Sequence, residues 1–171
     1  MDIEGLTLRK PVATDGMAVN RLVDRIPELD DNSSYCNLLQ CSHFADSSVI
    51  ALRGDEVAGF ISGYPLPQQP DTLFIWQVAV SPDSRGIGLA SSMLSEILSR
   101  PDLGQLRFLE TTITEDNAAS WALFTSLARR CSARLERRIM FDRQRHFSDE
   151  HASELLARIG PIRQGALTPQ P

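Results

Sequence analysis

Apolar residues recur along this chain with two alternating periods, and each change of period marks a change of element. Residues 6–10, LTLRK, read as a first strand. From Asp15 to Ile26 a stripe of Ala18, Leu22, Val23 and Ile26 predicts a helix, with Thr14 before it and Pro27 closing it. A second helix is expected over residues 33–44, with Tyr35, Leu38, Leu39 and Ser42 near one face. Runs 48–53 and 56–63 flank Gly54-Asp55, a turn pair that joins hairpin strands. The three prolines of residues 65–71 predict a loop. TLFIWQVAV, residues 72–80, is the most apolar strand and belongs in the middle of a sheet. A helix over 88–100 turns Leu89, Met93, Leu94, Ile97 and Leu98 inward, and a strand follows at 106–112. Beyond Asn117 comes a helix carrying Trp121, Phe124, Leu127 and Ala128, then a strand over 133–141.

A last helix is expected from Ser148 to Ile159. Asp149 and Glu150 fall in its first turn, Arg158 in its last, and Gly160-Pro161 ends it. The order of elements predicts a mixed α/β sheet with helices for both faces, in one domain over residues 1–162. Residues 163–171, rich in Gly, Thr, Gln and Pro, are expected to form a flexible tail.

Length and composition narrow the classes. The 171 residues suffice for one substantial core. The longest apolar stretches are about five residues, against the roughly 18 that suggest a membrane helix, so no membrane role is expected. An acidic start with no apolar run of leader length predicts a cytoplasmic protein. Three cysteines, Cys36, Cys41 and Cys131, make no disulfide framework and no zinc spacing, so no metal is expected. A net charge of -5 argues against nucleic acid as partner, and the basic run Arg134–Arg138 reads as a solvated strand edge.

The sharpest chemical signal lies at residues 78–94, VAVSPDSRGIGLASSML. A buried strand ends, Pro82 forces the exit, and Arg85-Gly86-Ile87-Gly88-Leu89-Ala90 opens a helix. Free amides at a helix start can converge on phosphate oxygens, and glycines let the backbone come close. Arg85 can add a charge-assisted contact. The lysine-containing nucleotide loop and the GxGxxG order are both absent.

This segment resembles the acyl-CoA pyrophosphate-binding motif of the GCN5-related N-acetyltransferase superfamily, [RQ]xxGx[GA], matched by Arg85, Gly88 and Ala90. The resemblance implies that superfamily's α/β (α+β) fold, a central mixed, mostly antiparallel sheet flanked by helices. It also implies acetyl-CoA as co-substrate, held by Val78, Ala79 and Val80 along its pantetheine arm and by Arg85–Ala90 at its diphosphate. Asn117, with Ser120 and Phe124, matches the later cofactor-side segment. Residues 8–162 as a whole resemble the L-2,4-diaminobutyrate acetyltransferases of ectoine synthesis, through residues 29–46, 59–64, 70–90, 109–120 and 141–162. That likeness implies acetyl transfer to the γ-amine of a small diamino acid, an osmoadaptive role and a homodimer.

Amine acetylation needs a neutral amine, a positioned thioester and a donor for the oxyanion, which a strand-end amide near Val78–Val80 would supply. Many superfamily members place a tyrosine on the later helix to protonate the thiolate. Here that position is Phe124, which leaves Tyr35 or water. A diamino acid carries two ammonium groups, so its pocket wants acidic and aromatic groups. The resemblance assigns Asp30, Asn32 and Tyr35 to substrate binding; Asp30 equally suits a helix cap, and Tyr35 packing. Trp76 is a pocket wall with a cation-attracting ring face, or a core residue. Glu110 is a base acting directly or through water, or a satisfied structural acid. His151 and Glu154, one helical turn apart, would face one ligand, or else lie at the surface.

Overall fold

The computed structural model describes residues 5–29 and 32–163. Its strands are β1 (Thr7–Arg9), β2 (Val49–Arg53), β3 (Glu56–Leu66), β4 (Gln69–Val80), β5 (Phe108–Thr114), β6 (Arg134–Phe141) and β7 (Glu154–Gly160). The helices are α1 (Gly16–Val23), α2 (Ser34–Gln40), α3 (Leu89–Leu98), α4 (Ala118–Arg130) and α5 (Arg143–Phe147). Seven strands follow one another in the sheet as β1-β2-β3-β4-β5-β7-β6. β4 and β5 run parallel, while β1–β2, β2–β3, β5–β7 and β6–β7 are antiparallel. The expected mixed, mostly antiparallel sheet is therefore present.

The chain divides into two compact units, one of residues 5–64 and 75–104, the other of 65–74 and 105–163. In the first, Val19, Leu22, Val23 and Ile26 bury against Cys41, Ile50, Phe60 and Ala79. Gly59 sits where a Cβ would lie 2.8 Å from Met93 Cε and 3.2 Å from Leu89 Cδ2, so its bare backbone lets α3 seat on β3. Arg100, buried beyond the end of α3, donates from Nη1 to the carbonyls of Asp46 and Ser48 at 2.9 and 2.8 Å. In the second unit α4 buries Trp121, Phe124, Leu127 and Ala128, the stripe its spacing predicts.

Three expectations are corrected. The proline segment is mostly strand: β3 runs through Leu66 and β4 begins at Gln69. Pairing of β2 reaches only Val49↔Ile61 and pairing of β5 starts at Thr72↔Phe108. Pro65 and Pro70 thus lie beyond both outer neighbours, where a missing N–H costs no bond to β2 or β5.

The helix expected over Ser148–Ile159 is also absent. Ser148 and Asp149 take left-handed φ values of 51° and 66°, which end α5 and block a helix start. Residues 154–160 instead form β7, paired on both sides, with Leu156, Ala157 and Ile159 buried. The third correction concerns α2. Its buried face is polar, Asn37 and Gln40, not the stripe of Tyr35, Leu38, Leu39 and Ser42. Residues 164–171, where the tail was expected, lie outside the described residues.

Candidate active site

β4 ends at Val80, and the next amide, Ser81, donates to the carbonyl of Ala58 at 2.9 Å. A short 3-10 turn, Pro82–Ser84, carries the chain to Arg85. Gly86 and Gly88 both adopt φ +79°, a left-handed conformation that L side chains resist. Gly88 is the N-cap of α3 and no side chain caps this helix. Its first α-helical bond beyond the cap runs from Ser92 N to Gly88 O at 3.0 Å, so the amides of Leu89, Ala90 and Ser91 have no acceptor within the helix. A Cβ at Gly86 or Gly88 would meet nothing within 4 Å. Open amides, positive helix end and free space together fit a diphosphate. Leu89 contributes its amide there, while its side chain is a core anchor.

Arg85 stands at this cradle with a partner that sequence reasoning missed. Its Nη1 and Nη2 donate to the two carboxylate oxygens of Glu28 at 3.4 and 3.3 Å. That contact holds the Glu28 carboxyl below its usual range. No local signal could have paired residues so far apart in sequence.

The same unit places Trp76, 46% exposed, in an aromatic cluster with Phe44 and Tyr64. The Trp76 ring centroid lies 6.3 Å from Phe44 and 6.2 Å from Tyr64, both edge-on, and Phe44 and Tyr64 are 5.6 Å apart. Such edge-to-face contacts fix a ring's orientation. Tyr35, in the first turn of α2, is 68% exposed and unpacked enough to meet a ligand. Asn32 donates from Nδ2 to Gln77 Oε1 at 3.0 Å, so its amide is already committed. Asp30 lies outside the described residues. Ser33, not Asp30, caps α2, accepting from Cys36 N at 3.2 Å.

In the second unit Glu110 is buried on β5 and its Oε1 accepts a short hydrogen bond from Arg158 of β7, its cross-strand neighbour. The Arg158 guanidinium also stacks over Phe108, 4.0 Å from the ring centroid. Sequence reading took Arg158 as a helix-end charge; the strand pairing makes it the counter-ion of Glu110. Asn117 caps α4, its side chain accepting from Ser120 N at 3.0 Å. His151 lies before β7 and Glu154 is its first residue, so the two share no helix face. His151 instead stacks on Phe147, with ring centroids 4.7 Å apart. Phe124 is buried in the core of this unit.

Burial pushes the Cys41 thiol up to about 12 and also raises Cys36 and Cys131, which leaves no ready thiolate near neutral pH. Among the described residues no group of three or more His, Cys, Asp or Glu could hold a metal ion, and no helix is long and apolar enough to cross a membrane.

A mixed sheet whose central strand gives way to an uncapped glycine-opened helix is the architecture of acyl-CoA-dependent acetyltransferases. The sequence profile of the acetyltransferase (GNAT) family matches residues 18–128, and the chain belongs to that family. Within it the chain is similar to L-2,4-diaminobutyric acid acetyltransferases. That of Methylotuvimicrobium alcaliphilum is 51% identical over 158 residues, 92% of each chain. That of Halomonas elongata is 44% identical over 158 residues, covering 92% of this chain and 82% of the relative. Diaminobutyrate acetyltransferase EctA from Paenibacillus lautus, solved in complex with L-2,4-diaminobutyric acid and coenzyme A, superimposes with a TM-score of 0.87. It is 36% identical, over 91% of this chain and 95% of that one.

Proposed function

We propose that this protein transfers the acetyl group of acetyl-CoA to the γ-amino group of L-2,4-diaminobutyric acid, giving N4-acetyl-L-2,4-diaminobutyric acid and CoA. The observation that carries the reading is the open amide cradle of Gly86–Ala90 at the end of β4, in a chain so similar to relatives of that activity. The amine attacks the thioester carbonyl in a ternary complex. A C–N bond forms, the C–S bond breaks, and the ammonium proton leaves before or during attack. Main-chain groups of Val78–Val80 hold the pantetheine arm and supply the oxyanion donor. Arg85 and the cradle amides hold the diphosphate, with Asn117 on the cofactor side.

On the acceptor side, Asp30, Glu154 and His151 suit ammonium groups, and the Trp76 face suits a cation. Because Arg158 holds Oε1 of Glu110, its Oε2 is the oxygen left to draw the proton, through an ordered water. Tyr35 or solvent returns a proton to the thiolate. Attack of an amine on a thioester needs no metal. The enzyme works in the cytoplasm as a homodimer with residues 1–162 as its catalytic domain, and it serves synthesis of the osmolyte ectoine. Its acidic charge suits a small cationic substrate better than nucleic acid or an anionic membrane.

The test is mass spectrometry and NMR of the product formed from acetyl-CoA and diaminobutyrate, beside rates for ornithine, lysine and spermidine. One acetyl on the γ-nitrogen and the highest kcat/KM for diaminobutyrate are expected; preference for spermidine overturns the assignment. Gly88→Ala checks the cradle. The left-handed backbone costs an alanine about 1–2 kcal/mol, and its methyl fills the open space, so the acetyl-CoA KM should rise roughly tenfold. An unchanged value there contradicts diphosphate seating at α3.

A further inference from the structure

Around Asn32 lie five side-chain carboxamides, joined through hydrogen bonds and one backbone carbonyl, with no charge among them. Asn20 of α1 gives its two Nδ2 protons to the backbone carbonyl of Asn32 at 3.1 Å and to Asn37 Oδ1 at 3.0 Å. Asn37 donates onward to Gln40 Oε1 at 2.9 Å, and Asn32 donates to Gln77 Oε1 at 3.0 Å. Asn37 and Gln40 are 0% exposed and Gln77 is 8% exposed. Gln40 Nε2 is buried without a protein partner. The core cluster that α1 joins is apolar, with Val19, Leu22, Val23, Cys41 and Phe60 among its members. Leucine would fill such positions without desolvating any amide, so packing does not account for this network. What it accomplishes is geometric. It ties Asn32, just before the Ser33 cap of α2, to Gln77 of β4.

We infer that Asn20 and Gln77 are positioning residues for the amine substrate: through Asn32 they fix the residues that lead into α2 and its exposed Tyr35, and so set acceptor affinity and selectivity. This rests on the proposed acetyl transfer to an amine, with Tyr35 in the substrate-binding place that the family resemblance gives it. Neither amide touches substrate. Asn32 is held twice, by Asn20 at its carbonyl and by Gln77 at its side-chain amide, so removing either partner frees it on one side.

The experiment pairs steady-state kinetics with hydrogen–deuterium exchange over residues 32–36 in Gln77→Leu and Asn20→Leu. Loss of one buried hydrogen bond should raise the diaminobutyrate KM about five- to tenfold and narrow its advantage over ornithine. kcat and the acetyl-CoA KM should stay within about twofold. Exchange at 32–36 should quicken. Gln77→Glu keeps an oxygen for Asn32 and should recover most of the affinity. Gln77→Leu combined with Asn32→Ala should be little worse than the weaker single variant, as members of one network are non-additive. Folded variants with unchanged amine KM and unchanged exchange overturn the inference, as does an equal rise in both KM values. If the leucine variants do not fold, Gln77→Ser carries the same test. Should the wild-type enzyme favour another amine, the proposed substrate is wrong and that amine's KM becomes the readout; with no turnover at all, exchange decides.

Discussion

Glu28 and Arg85 illustrate how one exposed pair can bear on a site it does not build. The arginine that would meet the cofactor's phosphates is held by a carboxylate. Phosphate must compete with Glu28 or share the guanidinium with it. Glu28→Gln should therefore tighten CoA binding modestly, about twofold, since exposed ion pairs are weak. Calorimetry with CoA checks this, and Glu28→Gln added to Arg85→Ala should change nothing further. At this scale the cradle itself was legible: Arg85, Gly86, Gly88 and Ala90 announce their geometry locally, because left-handed turns demand glycine. Glu28, Arg158 and the Asn32–Gln77 contact were not, since each needs a partner that only the folded chain supplies.

Elements were legible where period and packing agreed. α4 buries the stripe its sequence displays, and the Gly54-Asp55 turn joins β2 to β3 as its chemistry requires. β7 was misread because Leu155, Leu156 and Ile159 also fit a helical face, and acidic residues after Ser148 mimic a helix start. Two left-handed residues and two strand partners outweigh that propensity. α2 was only partly legible: Leu38 and Leu39 are half-buried, but its fully buried residues are Asn37 and Gln40, and buried carboxamides carry no hydrophobic signature. β7 yields a direct prediction. Ile159 is fully buried between Leu109 of β5 and Leu135 of β6, so Ile159→Ala should cost about 2–5 kcal/mol of stability. A denaturant midpoint indistinguishable from the parent would contradict that placement.

For the whole molecule, β6 poses the largest unmet demand. It is the last strand of the sheet, exposed along almost its full length, and carries Ile139, Met140 and Phe141 at 60%, 41% and 38% exposure. An open edge with three apolar side chains invites pairing. Cover by a second copy fits the proposed homodimer. Sedimentation velocity should find dimers at micromolar concentration, and Ile139→Asp with Phe141→Asp should shift them to monomers that keep their circular dichroism. Monomers in the unaltered protein, at every concentration, would leave that edge to another purpose.

The neutral character of the ties between Asn20, Asn32 and Gln77 has a consequence under the proposed osmoadaptive role. In brine near one molar the Debye length falls to about 3 Å, and attraction between ions such as Glu28 and Arg85 fades along with the pull on cofactor phosphates. Buried amide hydrogen bonds such as Asn37–Gln40 feel little of this. As salt rises the grip on the donor loosens, while the uncharged ties on Asn32 hold.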